Sequence, residues 1–377
     1  MEPISLYLHI PFCRAQCSYC DFSSYPGLEA LFEDYAAALI REMEMAEPAR
    51  VRTIYLGGGT PTVLPLLLLQ RILAAARTVF RLEPDIEISI EANPGTVDRG
   101  LLAGLRAAGV TRLSLGVQSL DAGELQLLGR IHSPAQALEA FATARRAGVD
   151  NLNLDLIYGL PRQTLHSWQS TLCQALALEP EHLALYALTV EEGTPLAAQI
   201  ATGALDGPDP DLAADMYEMA EEALAEAGYL HYEISNWSHA AEFQCRHNLT
   251  YWRNEPYLGI GAGAHSWRGG RRWANLSSPA GYISRILDGK PAVAVEEVID
   301  PALEIGETMM MGLRLLVEGV SLAKFRERFG LELDQRFGPE LSELAALGLI
   351  ETDPERVRLS GRGRLLGNQV FLRFLPD

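Results

Sequence analysis

Six short apolar runs alternate with five longer stretches of helical periodicity across the first half of the chain. The runs are residues 4–9, 53–56, 86–90, 112–115, 152–157 and 182–188. The stretches between them cover about residues 28–46, 66–80, 99–108, 134–147 and 165–178. Strand–helix–strand order of this kind builds parallel pairs joined by crossovers, so it predicts an α/β fold with a parallel sheet. Five crossovers between six strands suit a partial (β/α)6 barrel of the TIM type. An open doubly wound sheet fits the same pattern.

Polar and glycine-rich residues gather just after these runs. Gly57, Gly58, Gly59 and Thr60 follow the second, Glu91 ends the third, Gln118 follows the fourth, and Asp155 sits in the fifth. Parallel α/β folds place their functional site at the carboxyl ends of the strands. Several separate segments therefore aim their chemistry at one face.

Cys13, Cys17 and Cys20 follow the first run with the spacing C-x3-C-x2-C. An iron–sulfur cube takes four thiolates, and three would leave one iron open to a group that is not protein. The same cysteines with His9 would make a closed zinc site, and inert thiols are a third reading. Five cysteines in all, three of them in one loop, fit metal binding in a reducing compartment better than a disulfide framework.

The 377 residues carry a net charge of −18, which opposes a broad nucleic-acid surface. No stretch reaches the roughly 20 apolar residues of a membrane span, and residues 1–12 lack the basic and apolar parts of a secretion signal. These features predict a cytoplasmic protein. Residues 1–208 form the expected barrel domain, and residues 206–211 (Asp-Gly-Pro-Asp-Pro-Asp) read as a linker capping a helix at 212–227. Residues 209–300 form a connecting α/β region. Residues 301–377 resemble a small winged-helix unit, with helices at 304–316, 322–329 and 339–347 and strands at 349–351 and 357–360. Residues 300–377 hold 10 Lys+Arg against 13 Asp+Glu, which is not a DNA-binding balance.

The segment Cys13-Arg-Ala-Gln-Cys17-Ser-Tyr-Cys20 resembles the cluster loop of the radical S-adenosylmethionine (SAM) superfamily. Further strings narrow the likeness: Leu6-Tyr-Leu-His-Ile-Pro-Phe-Cys13, Gly57-Gly-Gly-Thr-Pro61, Glu91-Ala-Asn-Pro94, Gly116-Val-Gln118 and Asp155-Leu-Ile-Tyr-Gly-Leu-Pro161. Together they resemble the branch that holds the oxygen-independent coproporphyrinogen III dehydrogenases and the HemW-type heme chaperones. The resemblance implies a [4Fe–4S] cluster on Cys13, Cys17 and Cys20, with SAM on the open iron and reductive cleavage of its sulfonium. It carries contacts with a first SAM onto Tyr7, Gly58 and Glu91. Contacts with a second SAM fall on Tyr19, Gly59, Thr60, Gln118, Arg130 and Asp155. Whether one SAM or two bind stays open, as does turnover of SAM.

Two departures set this chain apart from the dehydrogenases. They carry a further cysteine two residues after the third ligand, where this chain has Phe22, and an extension ahead of the cluster loop, where the first strand here begins almost at Met1. His247-Asn-Leu-Thr-Tyr-Trp252 matches the H-N-x-x-Y-W motif of the chaperones. The resemblance thus implies heme binding with His247 as candidate iron ligand, an electron donor such as flavodoxin or ferredoxin, and delivery of heme to a respiratory protein. Peripheral association with a membrane remains compatible with it. The alternative is oxidative decarboxylation of coproporphyrinogen III.

Overall fold

The computed structural model describes residues 3–376. Met1, Glu2 and Asp377, which the domain bounds and the reading of the chain start include, lie outside the described residues. The six expected strands are present as β1 (Ile4–Ile10), β2 (Arg50–Gly58), β3 (Arg81–Ala92), β4 (Arg112–Gln118), β5 (Leu152–Tyr158) and β6 (His182–Ala187). Each lies parallel to the next in chain order. The crossovers carry α1 (Phe32–Met45), α2 (Leu66–Val79), α3 (Arg99–Ala107), α4 (Pro134–Arg146) and α5 (Leu165–Leu176). Strands covered on both faces read as near-continuous apolar runs. In β1, Ile4, Leu6, Leu8 and Ile10 are buried on one face, and the polar Ser5 and His9 are buried on the other.

Local chemistry starts the helices where the sequence announces them. Asp98 accepts from the Leu101 amide at the start of α3. Ser133 and Gln136 form a capping box around α4, with Pro134 at its first position, and Thr164 and Ser167 do the same for α5. Such caps satisfy amides that have no partner within the helix. The helix expected at 212–227 begins slightly earlier, as α6 (Pro210–Glu226), because Asp209 accepts from the Asp211 and Leu212 amides.

The sheet stays open and grows at both edges. Beyond β6 it gains β7 (Leu230–Glu233) and β8 (Asn236–Ser238), which are antiparallel. The short helix α7 (Arg246–Trp252) then leads to β9 (Tyr257–Ile260), which adds parallel to β1. From β9 the chain continues through β10 (His265–Arg268), β11 (Arg271–Asn275) and β12 (Val293–Val298). Among the described residues the sheet therefore has twelve strands, in the order β12-β11-β10-β9-β1-β2-β3-β4-β5-β6-β8-β7.

The end of the chain packs helices α8 (Pro301–Gly312), α9 (Leu322–Phe329) and α10 (Leu333–Ala346) against three short strands, β13 (Val320–Ser321), β14 (Ile350–Thr352) and β15 (Arg356–Leu359). α10 starts earlier than the sequence pattern indicates and breaks at Phe337, just before Gly338 and Pro339, where φ is −132° and ψ 20°. This unit has its own core around Met309, Phe325, Phe337 and Phe374.

Candidate functional site

A cavity of about 490 Å³ opens at the carboxyl ends of the parallel strands. Cys13, Cys17 and Cys20 line one side of it, on the loop after β1. That loop is anchored at both ends. The Gly59 amide donates to the Ile10 carbonyl at 2.9 Å and the Thr60 amide to Phe12 at 2.8 Å. Ser18 donates through its amide to Leu128 at 3.0 Å and through its hydroxyl to Leu127 at 2.8 Å.

The glycines after β2 are required by close approach. Gly58 has φ +118°, and a Cβ there would stand 2.6 Å from the His9 ring. A Cβ on Gly59 would meet the Phe12 carbonyl oxygen at 2.6 Å and Cys13 Sγ at 2.9 Å. Thr60, buried behind them, lies 3.5 Å from Cys13 Sγ and accepts from Asn93 Nδ2 at 2.9 Å.

Acidic groups form the floor. Glu91 Oε1 accepts from Tyr55 Oη at 2.8 Å and Oε2 from the Gly58 amide at 3.2 Å. Burial pushes its pKa up to about 7, with the Asp155 charge adding to the rise against those hydrogen bonds. Asp155 accepts from Ser114 Oγ at 2.9 Å and Asn153 Nδ2 at 2.8 Å, and burial raises it as well. Asn153 is itself fixed from below: its side-chain oxygen accepts from His182 Nδ1 at 2.6 Å, and His182 Nε2 pairs with Tyr232 Oη at 2.8 Å.

Arg130 reaches across the opposite wall. Its Nη1 donates to Cys17 Sγ at 3.3 Å, and Nη2 contacts the Gly116 carbonyl at 2.5 Å and Asn93 Oδ1. Its Nε is buried without a partner, a donor left over for an anionic group. Gln118 turns into the cavity at the end of β4 with φ +68°, a left-handed conformation uncommon outside glycine. Tyr19 lines the same space and packs on Leu128, Ile157 and Leu160.

Two expected contacts lie elsewhere. Tyr7 sits beneath the cavity, its hydroxyl 3.0 Å from His9 Nδ1 and its ring stacked 6.2 Å from Tyr55. His247 is 1 % exposed in the barrel interior, with Nδ1 2.8 Å from Thr53 Oγ1 and Nε2 2.9 Å from Tyr251 Oη. Its ring stacks on Tyr55 at 5.0 Å, and burial lowers its pKa to about 3. Neither ring nitrogen is free, so an iron could reach His247 only after one of these bonds opened.

Residues that the sequence pattern did not single out complete the wall. Tyr55 positions Glu91, Asn93 joins Thr60 to Arg130, and Tyr186 lines the mouth. Tyr55 lies two residues before Gly57, on the inward-facing alternation of β2, and Asn93 stands within the Glu91–Pro94 string. Those signals were present.

The donor set fits an iron–sulfur cluster with SAM. Burial raises the Cys13 thiol, partly offset by its hydrogen bond with Thr60 and reinforced by Cys17. Cys20 is likewise raised, by burial first. Thiols in this state lose their protons on binding metal. His9 is unavailable to complete a zinc set, because Nδ1 meets Tyr7 and Nε2 meets the Ser23 carbonyl at 3.1 Å. Among the described residues no three His, Cys, Asp or Glu side chains could enclose one metal ion. In a cube each thiolate meets a different iron, so the sulfurs stand farther apart than around one ion.

Residues 7–173 match the radical SAM superfamily model, and residues 299–366 match the HemN C-terminal domain. The chain is 38% identical over 376 residues to the heme chaperone HemW of Lactococcus lactis, covering 100% of this chain and 98% of that protein. It is 39% identical to the heme chaperone HemW of Bacillus subtilis, covering 99% of each. Its fold is similar to the solved structure of coproporphyrinogen III oxidase (HemN) from Escherichia coli, a radical SAM enzyme. The TM-score is 0.83 and the identity 25%, over 99% of this chain and 90% of that one.

Proposed function

The chain belongs to the radical SAM superfamily and, within it, to the HemW family, and we propose that it is a heme chaperone built on radical SAM machinery. The observation that carries this reading is full-length similarity to two proteins named as heme chaperones, in a chain whose cluster loop and strand-end residues meet in one cavity. Cys13, Cys17 and Cys20 would hold the [4Fe–4S] cluster. Glu91 and Asp155 would receive the amino and hydroxyl groups of SAM, and Arg130, with its spare Nε, would receive its carboxylate. Gly58, Gly59, Thr60, Gln118 and Tyr19 would shape the walls, and Tyr7 would support them from below. When bound, the cluster supplies single electrons to SAM. This chain's own residues orient SAM, and the buried floor keeps water from it.

Heme is the proposed cargo and a respiratory-chain protein the proposed recipient, with flavodoxin or ferredoxin as electron donor. A cytoplasmic setting suits these partners. Among the described residues no helix is long and apolar enough to cross a membrane. Phe22 supports chaperoning over decarboxylation: at the residue where the dehydrogenases carry a further cysteine, this chain has an apolar ring that is 68% exposed at the cavity mouth.

Anaerobic reconstitution followed by heme titration, with and without SAM, tests the reading. A [4Fe–4S] absorption band and saturable heme binding are expected. A reconstituted protein that binds no heme would overturn it. Sustained vinyl-product formation from coproporphyrinogen III, SAM and reductant would favour the dehydrogenase instead.

A further inference from the structure

After Cys20 the chain turns Asp21 and Phe22 to solvent and then dips back, so that Ser24 is only 8% exposed. Its neighbours hold it there. The Ser23 carbonyl meets His9 Nε2 at 3.1 Å, and the Tyr25 amide donates to the Pro11 carbonyl at 2.7 Å. Tyr25 and Pro26 also pair in parallel with Phe12 and Cys13, which keeps Ser24 close to the first cluster cysteine. Ser24 lines the strand-end cavity together with all three of those cysteines. Its Oγ is buried and closes no hydrogen bond. A buried hydroxyl without a partner is rare and calls for an acceptor.

The acceptors at hand are sulfurs. Burial raises the Cys13 and Cys20 thiols. Thr60 and then Ser24 oppose that rise at Cys13, and the Phe22 amide and then Ser24 oppose it at Cys20. A protonated thiol is a weak acceptor, which leaves the Ser24 bond unformed. A thiolate that holds a metal carries charge and accepts a shorter, stronger bond. Each ligand sulfur then has a side-chain donor. Thr60 Oγ1 stands 3.5 Å from Cys13 Sγ, Arg130 Nη1 stands 3.3 Å from Cys17 Sγ, and Ser24 Oγ serves Cys13 or Cys20. Thr60 and Arg130 also face the proposed SAM, whereas Ser24 has no other group to serve.

We propose that the Ser24 hydroxyl is an outer donor to the iron–sulfur cluster and raises its reduction potential. The proposal rests on the cluster assignment above. Reduction adds one electron, given by a donor of the flavodoxin or ferredoxin class, and the added charge spreads onto the ligand sulfurs. No bond is made or broken, and no proton moves. A hydrogen bond to a sulfur stabilises the reduced, more negative state more than the oxidised one, so it moves the potential up. The cluster is then easier to load with an electron and drives cleavage of SAM less strongly. That suits a chain whose task is to carry a ligand.

Redox titration of the anaerobically reconstituted full chain tests this, read by cluster absorbance and by the paramagnetic resonance of the reduced cluster. Ser24→Ala should be about tenfold harder to reduce, a midpoint about 59 mV lower for one electron. Urea unfolding of the same variant without its cluster should show no loss of stability, because the hydroxyl removed had no partner. Ser24→Thr keeps a hydroxyl and should return the wild-type midpoint. Ser23→Ala removes the neighbouring hydroxyl of the same loop and should leave the midpoint where it is. An unshifted midpoint in Ser24→Ala, or an equal shift in Ser23→Ala, overturns the role of Ser24. Should Ser24→Ala hold no cluster, Ser24→Thr decides: a cluster at the wild-type midpoint supports the hydroxyl, and an empty loop overturns it. A wild-type chain that assembles no cluster overturns the cluster assignment itself, a result distinct from these.

Discussion

Glu91 is the buried carboxyl on the floor of the strand-end cavity. Its ordinary carboxyl pKa of 4.5 is pushed up to about 7, chiefly by burial. In the free protein it is therefore largely neutral below pH 7 and becomes an acceptor of cationic or hydroxyl groups above it. SAM affinity should rise with pH through about 7, and Glu91→Gln should flatten that profile and weaken SAM roughly tenfold, or about 1.4 kcal/mol. Calorimetric titration across pH 6–8 measures both. The stability of the apo chain runs the other way. A raised folded pKa contributes stability below the unfolded value that is lost as pH rises through the folded value. The wild type should therefore lose stability relative to Glu91→Gln between about pH 4.5 and 7, as urea unfolding would show. Glu91 was legible in the sequence because it closes a strand in a parallel pattern. The environment of His247 was not, because its partner Thr53 lies 194 positions away and nothing local records that contact.

At the scale of elements, α7 works as a strut. One end wedges His247 under Tyr55 through Thr53 and Tyr251, and the residues after the other end reach the C-terminal unit. Arg253 donates to Glu318 at 2.7 Å and Asn254 to Thr308 at 3.0 Å. The H-N-x-x-Y-W spacing has a helical logic, since His247 and Tyr251 stand four residues apart on one face. Removing the Tyr251 hydroxyl leaves a buried imidazole nitrogen without its partner. Tyr251→Phe should cost about 1–3 kcal/mol, read from urea unfolding, with cluster assembly retained. The six parallel strands and the helices between them were legible because the strands carry apolar runs, the helices carry helical periodicity, and an Asp, Ser or Thr stands ahead of α3, α4 and α5. Strands β7 and β8 were not. They are only four and three residues long, and β8 exists by pairing with β6.

Among the described residues, the two largest hydrophobic cores are joined by a small bridge. The larger fills the sheet and its helices, and the smaller fills the C-terminal unit. Between them Tyr232 and Leu249 pack against Leu315, with Trp252 at the margin. The backbone makes the same join, since the Leu316 amide donates to the Tyr232 carbonyl at 3.0 Å. Units whose cores are separate unfold together only as far as their interface binds them. Most helices and strands of the C-terminal unit were legible in the sequence, but its anchoring to β7 and α7 was not, because each contact spans a long stretch of chain. Leu315 is 2% exposed, and cutting it to alanine removes the centre of the bridge while leaving both cores intact. Buried Leu→Ala changes cost about 2–5 kcal/mol, and here the loss falls on the interface. Leu315→Ala should therefore split thermal unfolding into two calorimetric transitions, the lower from the C-terminal unit. The [4Fe–4S] absorption of the reconstituted barrel should persist through the first. One transition, merely lowered, would mean that the two cores are coupled through more than this bridge.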